Sequence, residues 1–258
     1  RVIQSVLKKH GIDPSVVSMI PYTDRSAIKD MVVLDQYIDL VIPRGGEALM
    51  RFIVEHTRVP VIKHDKGVCS IYVDNTAKQK QAVEIIHNAK VQRPGVCNAL
   101  ETLYVHQKIA KKFLPMLFER LDKAGVELRG DGACRKIIPQ MKKAAEREYG
   151  EEYLDLILSV KVVADVHVAI ENAIKYSSNH TDVILTQTKK HADLFVRALS
   201  SSCVMVNTST RFNDGGQLGL GAEIGISTTK LHAYGPMGLK ELTATKFVVE
   251  SDYAIRTG

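Results

Sequence analysis

Ile38-Asp39-Leu40-Val41-Ile42 runs directly into Pro43-Arg44-Gly45-Gly46 and then into Glu47 to His56, which reads as strand, tight turn and helix in succession. The strand is short and rich in Ile, Leu and Val, and the helix that follows keeps its apolar residues at helical spacing. Backbone amides at such a turn can meet a phosphate, and ligands of open α/β sheets bind at the carboxyl ends of the strands. Two glycines at a strand–helix turn also serve as a plain tight connection. Both readings of residues 43–46 stand at this point.

The same alternation extends outward. Upstream, Val2 to Lys9 has helical spacing, Ser15-Val16-Val17-Ser18-Met19-Ile20 reads as a short β-branched strand, and Arg25 to Leu34 is helical; downstream, Val59-Pro60-Val61-Ile62 closes the series. Short strands alternating with helices imply βαβ units and a parallel sheet. A second α/β region begins at Val68. Its expected strands are Ser70 to Asp74, Leu156 to Val163, Asp182 to Thr186 and Cys203 to Asn207. Its expected helices are Lys78 to Lys90, Ile109 to Lys123, Val166 to Tyr176 and Ala192 to Ser200, while Asn98 to His106 covers a helix start and a following strand. Thr243-Ala244-Thr245-Lys246-Phe247-Val248-Val249 reads as an edge strand outside the packed body, and an edge of this kind is normally paired.

With 258 residues and 45% hydrophobic content, the chain can bury a sizeable core as two domains or one large one. Apolar runs stay short of the roughly 18 residues a transmembrane helix needs, so no membrane association is expected. Arg1 to Lys9 reads as a basic amphipathic helix and lacks the features of a secretion signal. Cys69, Cys97, Cys134 and Cys203 are scattered, with no metal-ligand spacing and no dense disulfide framework; no metal is expected, and reduced thiols in the cytoplasm are. The net charge of +6 is spread along the chain with few aromatics, which argues against a nucleic-acid surface and for attraction of anionic small molecules.

The chemistry centres on Asn88-Ala89-Lys90-Val91-Gln92-Arg93-Pro94-Gly95-Val96-Cys97-Asn98-Ala99. A thiol is a useful nucleophile only as thiolate, which nearby positive charge and backbone N–H dipoles favour. Lys90 and Arg93 precede Cys97, and Pro94-Gly95 offers a turn into a helix beginning near Asn98, whose amides would face the sulfur and hold an oxyanion. The plainer alternative is a buried, inert cysteine. The basic, glycine–proline setting favours the nucleophile.

This run to Thr102 closely resembles the gamma-glutamyl phosphate reductase family of the aldehyde dehydrogenase superfamily. So do Ser178-Asn179-His180-Thr181-Asp182, Asn207-Thr208-Ser209-Thr210-Arg211-Phe212-Asn213-Asp214-Gly215-Gly216, Gly219-Leu220-Gly221-Ala222-Glu223-Ile224-Gly225-Ile226-Ser227-Thr228 and Lys230 to Leu239. The resemblance implies an aldehyde dehydrogenase-like α/β fold: a partial Rossmann-type NADP-binding domain over residues 1–63, a catalytic domain over 64–239, and an oligomerisation strand and tail over 240–258. By the resemblance the N-terminal part of the family's chain is absent here, and Arg1 is not a start methionine, in keeping with that expectation. The implied reaction is NADPH-dependent reduction of gamma-glutamyl phosphate to glutamate-5-semialdehyde and phosphate, a step of proline biosynthesis. In it the Cys97 thiolate displaces phosphate, and hydride transfer to the thioester gives a thiohemiacetal that collapses to the aldehyde. A homo-oligomer is implied, with glutamate 5-kinase a candidate functional partner. Two alternatives stay open: an acylating aldehyde dehydrogenase of other specificity, and an inactive fragment lacking part of its cofactor domain.

The strand–helix turn read above gives cofactor-binding roles to Pro43, Arg44, Gly45 and Gly46, and the resemblance adds Glu152 for the nicotinamide ribose; an acidic first turn before a strand is the other reading of Glu152. Ser209, Thr210, Arg211 and Asn213 offer donors to an anionic substrate, Arg211 being suited to bidentate contact, and Asp214 could meet the substrate ammonium. An ordinary strand-to-helix turn with Arg211 in a salt bridge is the alternative. Lys90 and Arg93 are alternative phosphate contacts, and Asn98 joins the substrate-binding set. His64 stands where hydrolytic relatives carry the glutamate that activates water, so aldehyde oxidation to acid is disfavoured; it is a base or an ordinary polar residue. His180 is either catalytic or a turn histidine held by hydrogen bonds.

Overall fold

The computed structural model of the chain describes residues 1–24, 26–62 and 66–257, and of residue 47 the backbone alone. Two compact units divide it, Arg1–Val61 and the chain from Ile62 onward. The first holds α1 (Val2–Lys9), α2 (Ser26–Met31) and α3 (Glu47–His56), and Ile28 of α2 and Leu49 and Phe52 of α3 pack against a small core of Val32, Val41, Ile53 and Val59. α1 contributes no buried residue to it.

Sheet structure in this unit is sparser than the sequence suggests. The strand expected over residues 15–20 is replaced by a 3₁₀ turn at Pro14–Val16, because the Asp13 carboxylate accepts the Ser15 N–H at 2.8 Å and tightens the chain locally. The strands expected at 38–42 and 59–62 reduce to one parallel bridge, Val41 to Val61. The helix expected over 25–34 shortens to α2.

In the second unit, β1 (Cys69–Val73), β2 (Leu100–His106), β3 (Glu127–Gly130), β4 (Lys142–Lys143), β5 (Ile157–Val163), β6 (Thr181–Leu185) and β7 (Cys203–Val206) form one sheet, ordered β4-β3-β5-β2-β1-β6-β7 and parallel at every pairing. The crossovers are α4 (Gln79–Val91), α5 (Gln107–Asp122), α6 (Gly132–Ile137), α7 (Val166–Tyr176) and α8 (Lys189–Ala198). A hairpin, β8 (Gly225–Ser227) with β9 (Gly235–Met237), follows. This is the α/β architecture expected of residues from Val68 onward.

Both faces of the sheet are covered, which explains its near-continuous apolar strands. Ile71, Val73, Leu103, Val105, Val183 and Leu185 pack with α4, α5 and α6 residues such as Ile86, Phe113 and Cys134. Tyr72, Tyr104 and Ile184, one position along, pack instead with Ala169, Ile170 and Phe195 of α7 and α8. β3, β4 and α6 escape the sequence reading because β3 is four residues long and offers only Leu128 to a pattern search.

Two expectations fail here. β2 begins at Leu100, so no helix starts near Asn98; Leu100 pairs with Cys69, which draws the chain into extended backbone three residues after Cys97. Residues 243–249 form no strand: a strand needs a neighbour for its N–H and C=O groups, and no pairing involves them among the described residues. Phe247 and Val249 are fully or almost fully exposed.

Candidate active site

The starts of β1, β2, β6 and β7 lie side by side in the sheet, and the residues just before them converge. Gly67 and Val68 precede β1, Cys97 precedes β2, His180 precedes β6, and Ser201 and Ser202 precede β7. The buried Asp182 carboxylate ties this edge together by accepting the hydroxyls of Ser70, Ser177 and Ser201. At the opposite edge, Asp74 accepts from Tyr72, Thr76 and Thr186 and meets His191. The candidate nucleophile therefore sits at the amino ends of the strands, where ligands of open α/β sheets are not generally expected.

Cys97 is half-buried in a turn closed by Ala99 N–H to Val96 O at 3.0 Å. Its peptide is clamped. The Cys69 thiol donates to the Cys97 carbonyl at 3.1 Å, and a Cβ built on Gly67 would lie 2.2 Å from that same oxygen, so only glycine fits. Gly67 in turn donates its N–H to Glu152 Oε1 at 2.9 Å, and Val68 N–H goes to Ser178 Oγ at 2.9 Å. Neither Gly67 nor Cys69 stood out in the sequence, because the contacts join segments distant in the chain.

The charge around Cys97 differs from the expected basic setting. Burial, then the Glu223 and Glu152 carboxylates, push its thiol up to about 11, while Arg211 pulls the other way. Lys90 does not help. Its ammonium is completely buried and donates to Glu101 Oε2 at 2.6 Å, which removes it from the substrate contacts the sequence suggested. A register shift in the β1–β2 pairing, where Cys69 opposes Leu100 but Ser70 opposes Thr102, leaves Glu101 as the extra residue, and a bulge of this kind re-aims a side chain. Burial raises Glu101 to about 7 against the pull of Lys90, and burial lowers Lys90. Arg93 stays exposed.

The segment 207–216 comes to Cys97 from far along the chain. Asn98 Nδ2 donates to Asn213 O at 2.9 Å, and Asn213 Nδ2 donates to Thr181 Oγ1 at 2.8 Å. Ser209 accepts the Arg211 N–H and, with Thr210 and Asn213, is buried; these three build the turn and do not face solvent. Asn98 Oδ1, Thr210 Oγ1 and Asn213 Oδ1 are buried polar atoms with no hydrogen-bond partner among the described residues. Arg211 Nε donates to Gln92 Oε1 at 2.9 Å, and the guanidinium borders a cavity of about 220 Å³ with Asn88, Gln92, Phe212, Asp214 and Gln217. No ion pair engages it among the described residues, unlike the salt-bridged alternative. One Asp214 oxygen accepts the N–H groups of Gly216 and Gln217. Gly215 donates to Glu223 Oε2 at 2.8 Å, a carboxylate present in a quoted motif but given no role from sequence.

Of the remaining candidates, Arg44, Gly45 and Gly46 line a cavity of about 550 Å³ in the first unit, with Ile28, Ala48, Leu49 and Phe52. Gly46 is the N-cap of α3 and a Cβ there would meet nothing, so backbone and helix dipole are open to an anion. These residues, with the Arg44 guanidinium, fit the phosphate of a dinucleotide. Pro43 adjoins them. Glu152 has one oxygen committed to Gly67, leaving the other for a hydroxyl. His180 is wholly buried, its Nδ1 2.7 Å from Thr181 Oγ1 and 3.4 Å from Cys69 Sγ, as the turn-histidine reading has it. His64 lies outside the described residues.

A thiol clamped beside a doubly wound parallel sheet, with an arginine and carboxylates around it, suits covalent chemistry on an activated carbonyl. The chain belongs to the aldehyde dehydrogenase family, whose model matches residues 1–148. It is similar to the gamma-glutamyl phosphate reductase of Desulfatibacillum aliphaticivorans, 54% identical over 257 residues, covering 100% of this chain and 62% of that protein. The protein of that name from Citrifermentans bemidjiense is 52% identical over 255 residues, 99% of this chain and 61% of its own. Among solved structures, gamma-glutamyl phosphate reductase from Thermotoga maritima superposes with a TM-score of 0.95 at 50% identity, over 98% of this chain and 61% of that one. An acetylating aldehyde dehydrogenase from Geobacillus thermoglucosidasius, at 15% identity and TM-score 0.74 over 99% of this chain and 66% of its own, shares the fold. The chain spans about three-fifths of the length of the curated relatives it matches.

Proposed function

We propose that this chain forms the catalytic portion of an enzyme that reduces gamma-glutamyl phosphate to glutamate-5-semialdehyde and phosphate with NADPH, in proline biosynthesis. The carrying observation is the clamped Cys97 beside Arg211 in a chain half-identical to proteins of that name. The thiolate attacks the acyl carbon, the S–C bond forms, and the C–O bond to phosphate breaks with its electron pair leaving on phosphate. Because phosphate is a good leaving group, no strong acid is required. Arg211 binds the substrate's carboxylate or phosphate, with Arg93 as a second, exposed contact.

When bound, NADPH supplies the hydride that reduces the Cys97 thioester. Pro43 to Gly46 and Arg44 would hold its phosphates, and the second Glu152 oxygen a ribose hydroxyl. Residues 1–63 serve the cofactor, 64–239 the chemistry, and 240–258 self-association in a cytoplasmic homo-oligomer, which the exposed Phe247 and Val249 support; glutamate 5-kinase is the functional partner. The test is the reverse reaction of the full-length protein with glutamate-5-semialdehyde and NADP. NADPH formation should require phosphate or arsenate to take the acyl group from Cys97 and should vanish in Cys97→Ala. Equal rates with and without phosphate would mean water cleaves the thioester and would refute the reading.

A further inference from the structure

We propose that Glu223 receives the α-ammonium group of the substrate, opposite Arg211, so that the two side chains together read an amino-acid zwitterion at Cys97. The inference deepens the acyl-phosphate reading above and rests on it. The acid that the sequence offers for this task, Asp214, shares one oxygen between two backbone N–H groups of its own turn, whereas Glu223 gives one oxygen to a single N–H.

Glu223, in contrast, is exposed and fixed. Its Oε2 accepts the Gly215 N–H at 2.8 Å, and a Cβ on Gly215 would lie 2.5 Å from Ala222 O and 2.9 Å from Glu223 Cβ, so the two backbones touch directly. The same turn is held from its other side by Asn98, the neighbour of the nucleophile, through Asn213 O. Glu223 and Asn98, the residue after the nucleophile, are thus anchored on backbone groups two residues apart.

No cation answers Glu223 among the described residues, and Arg211 spends its Nε on the neutral Gln92. An anion and a cation therefore flank one thiol without pairing to each other. Left alone, the carboxylate is a burden, since it is the leading charge that opposes thiolate formation at Cys97. A bound ammonium offsets that charge, so substrate arrival itself eases ionisation of the nucleophile.

The test compares glutamate-5-semialdehyde with its deamino analogue, 5-oxopentanoate, in the full-length protein with NADP and phosphate. Unaltered protein should prefer the amino compound in kcat/KM by about 10- to 100-fold, the worth of one charged hydrogen bond. In Glu223→Gln, which keeps an acceptor for Gly215 but removes the charge, that preference should collapse to within about threefold. Glu223→Asp should restore part of it. Alkylation of Cys97 by iodoacetamide at pH 7.5, followed by peptide mass spectrometry, should speed up several-fold in Glu223→Gln at an unchanged Tm; the Tm is read alongside because unfolding would also free the thiol. A preference unchanged in Glu223→Gln, or absent in the unaltered protein, overturns the role of Glu223 alone. Turnover of neither compound by unaltered protein overturns the reductase reading and this assignment with it.

Discussion

Gly67→Ala is the substitution that most directly probes the clamp. The added methyl would sit 2.2 Å from the Cys97 carbonyl oxygen, 2.7 Å from its Cα and 2.8 Å from its carbonyl carbon. Gly67 lies outside the left-handed region, so the cost is steric and not conformational. Restoring an ordinary contact needs roughly 1 Å of movement, and every direction is tied: Gly67 to Glu152, Val68 to Ser178, Cys97 O to Cys69. Overpacking of this kind costs about 1–3 kcal/mol. In a chain this size that lowers Tm by roughly 2–12 °C. A misplacement of about 1 Å costs on the order of 100-fold in rate. Turnover of the full-length enzyme should therefore fall well beyond the loss of stability. Rates within twofold of the unaltered protein at an unchanged Tm would refute the clamp.

The buried pair gives a second test. Lys90→Met strands the Glu101 carboxylate and should cost about 3–5 kcal/mol, whereas Lys90→Met with Glu101→Leu should regain most of it, as read by chemical denaturation. Because Glu101 holds its proton more tightly folded (about 7) than its ordinary value of 4.5, its contribution to stability should decline as pH rises from about 4.5 to about 7 and be constant beyond. Replacement by Leu should flatten that part of the pH–stability curve. For Cys97, raised from 9.0 to about 11, alkylation should rise about tenfold per pH unit through pH 9 without levelling. A plateau near pH 8 would place the thiol in a basic setting after all.

Much of the second unit was legible because its signals are local. The helical spacing of Val166–Tyr176 and the apolar run at β1 needed no distant partner to be read. The Cys97 turn was legible as a turn, but Pro94-Gly95 introduces a helix or a strand equally well, and pairing of Leu100 with Cys69 decided for the strand. Lys90 was misread for a related reason. Proximity in sequence placed its charge near the thiol, while a register shift in a strand pairing turned Glu101 to meet it. The carboxylates that govern Cys97, Glu152 and Glu223, arrive from other segments, and a linear reading has no access to them. The strand expected over residues 15–20 failed through a single local hydrogen bond, Ser15 N–H to the Asp13 carboxylate, which outcompeted β-branched propensity.

The sheet order has a consequence for how the protein is made. β1 carries the Gly67–Cys69 side of the clamp but pairs with β6, and the bonds that finish the site span 85 residues to Glu152, 111 to His180 and, from Asn98, 115 to Asn213. A chain growing from its amino end exposes Cys97 long before these partners are synthesised. During that interval the thiol keeps its ordinary acidity, near 9.0 instead of about 11, and at neutral pH holds about a hundredfold more thiolate than it will once enclosed. On that reasoning the nascent polypeptide is more open to oxidants and electrophiles than the finished fold, where burial and two carboxylates hold the thiol up.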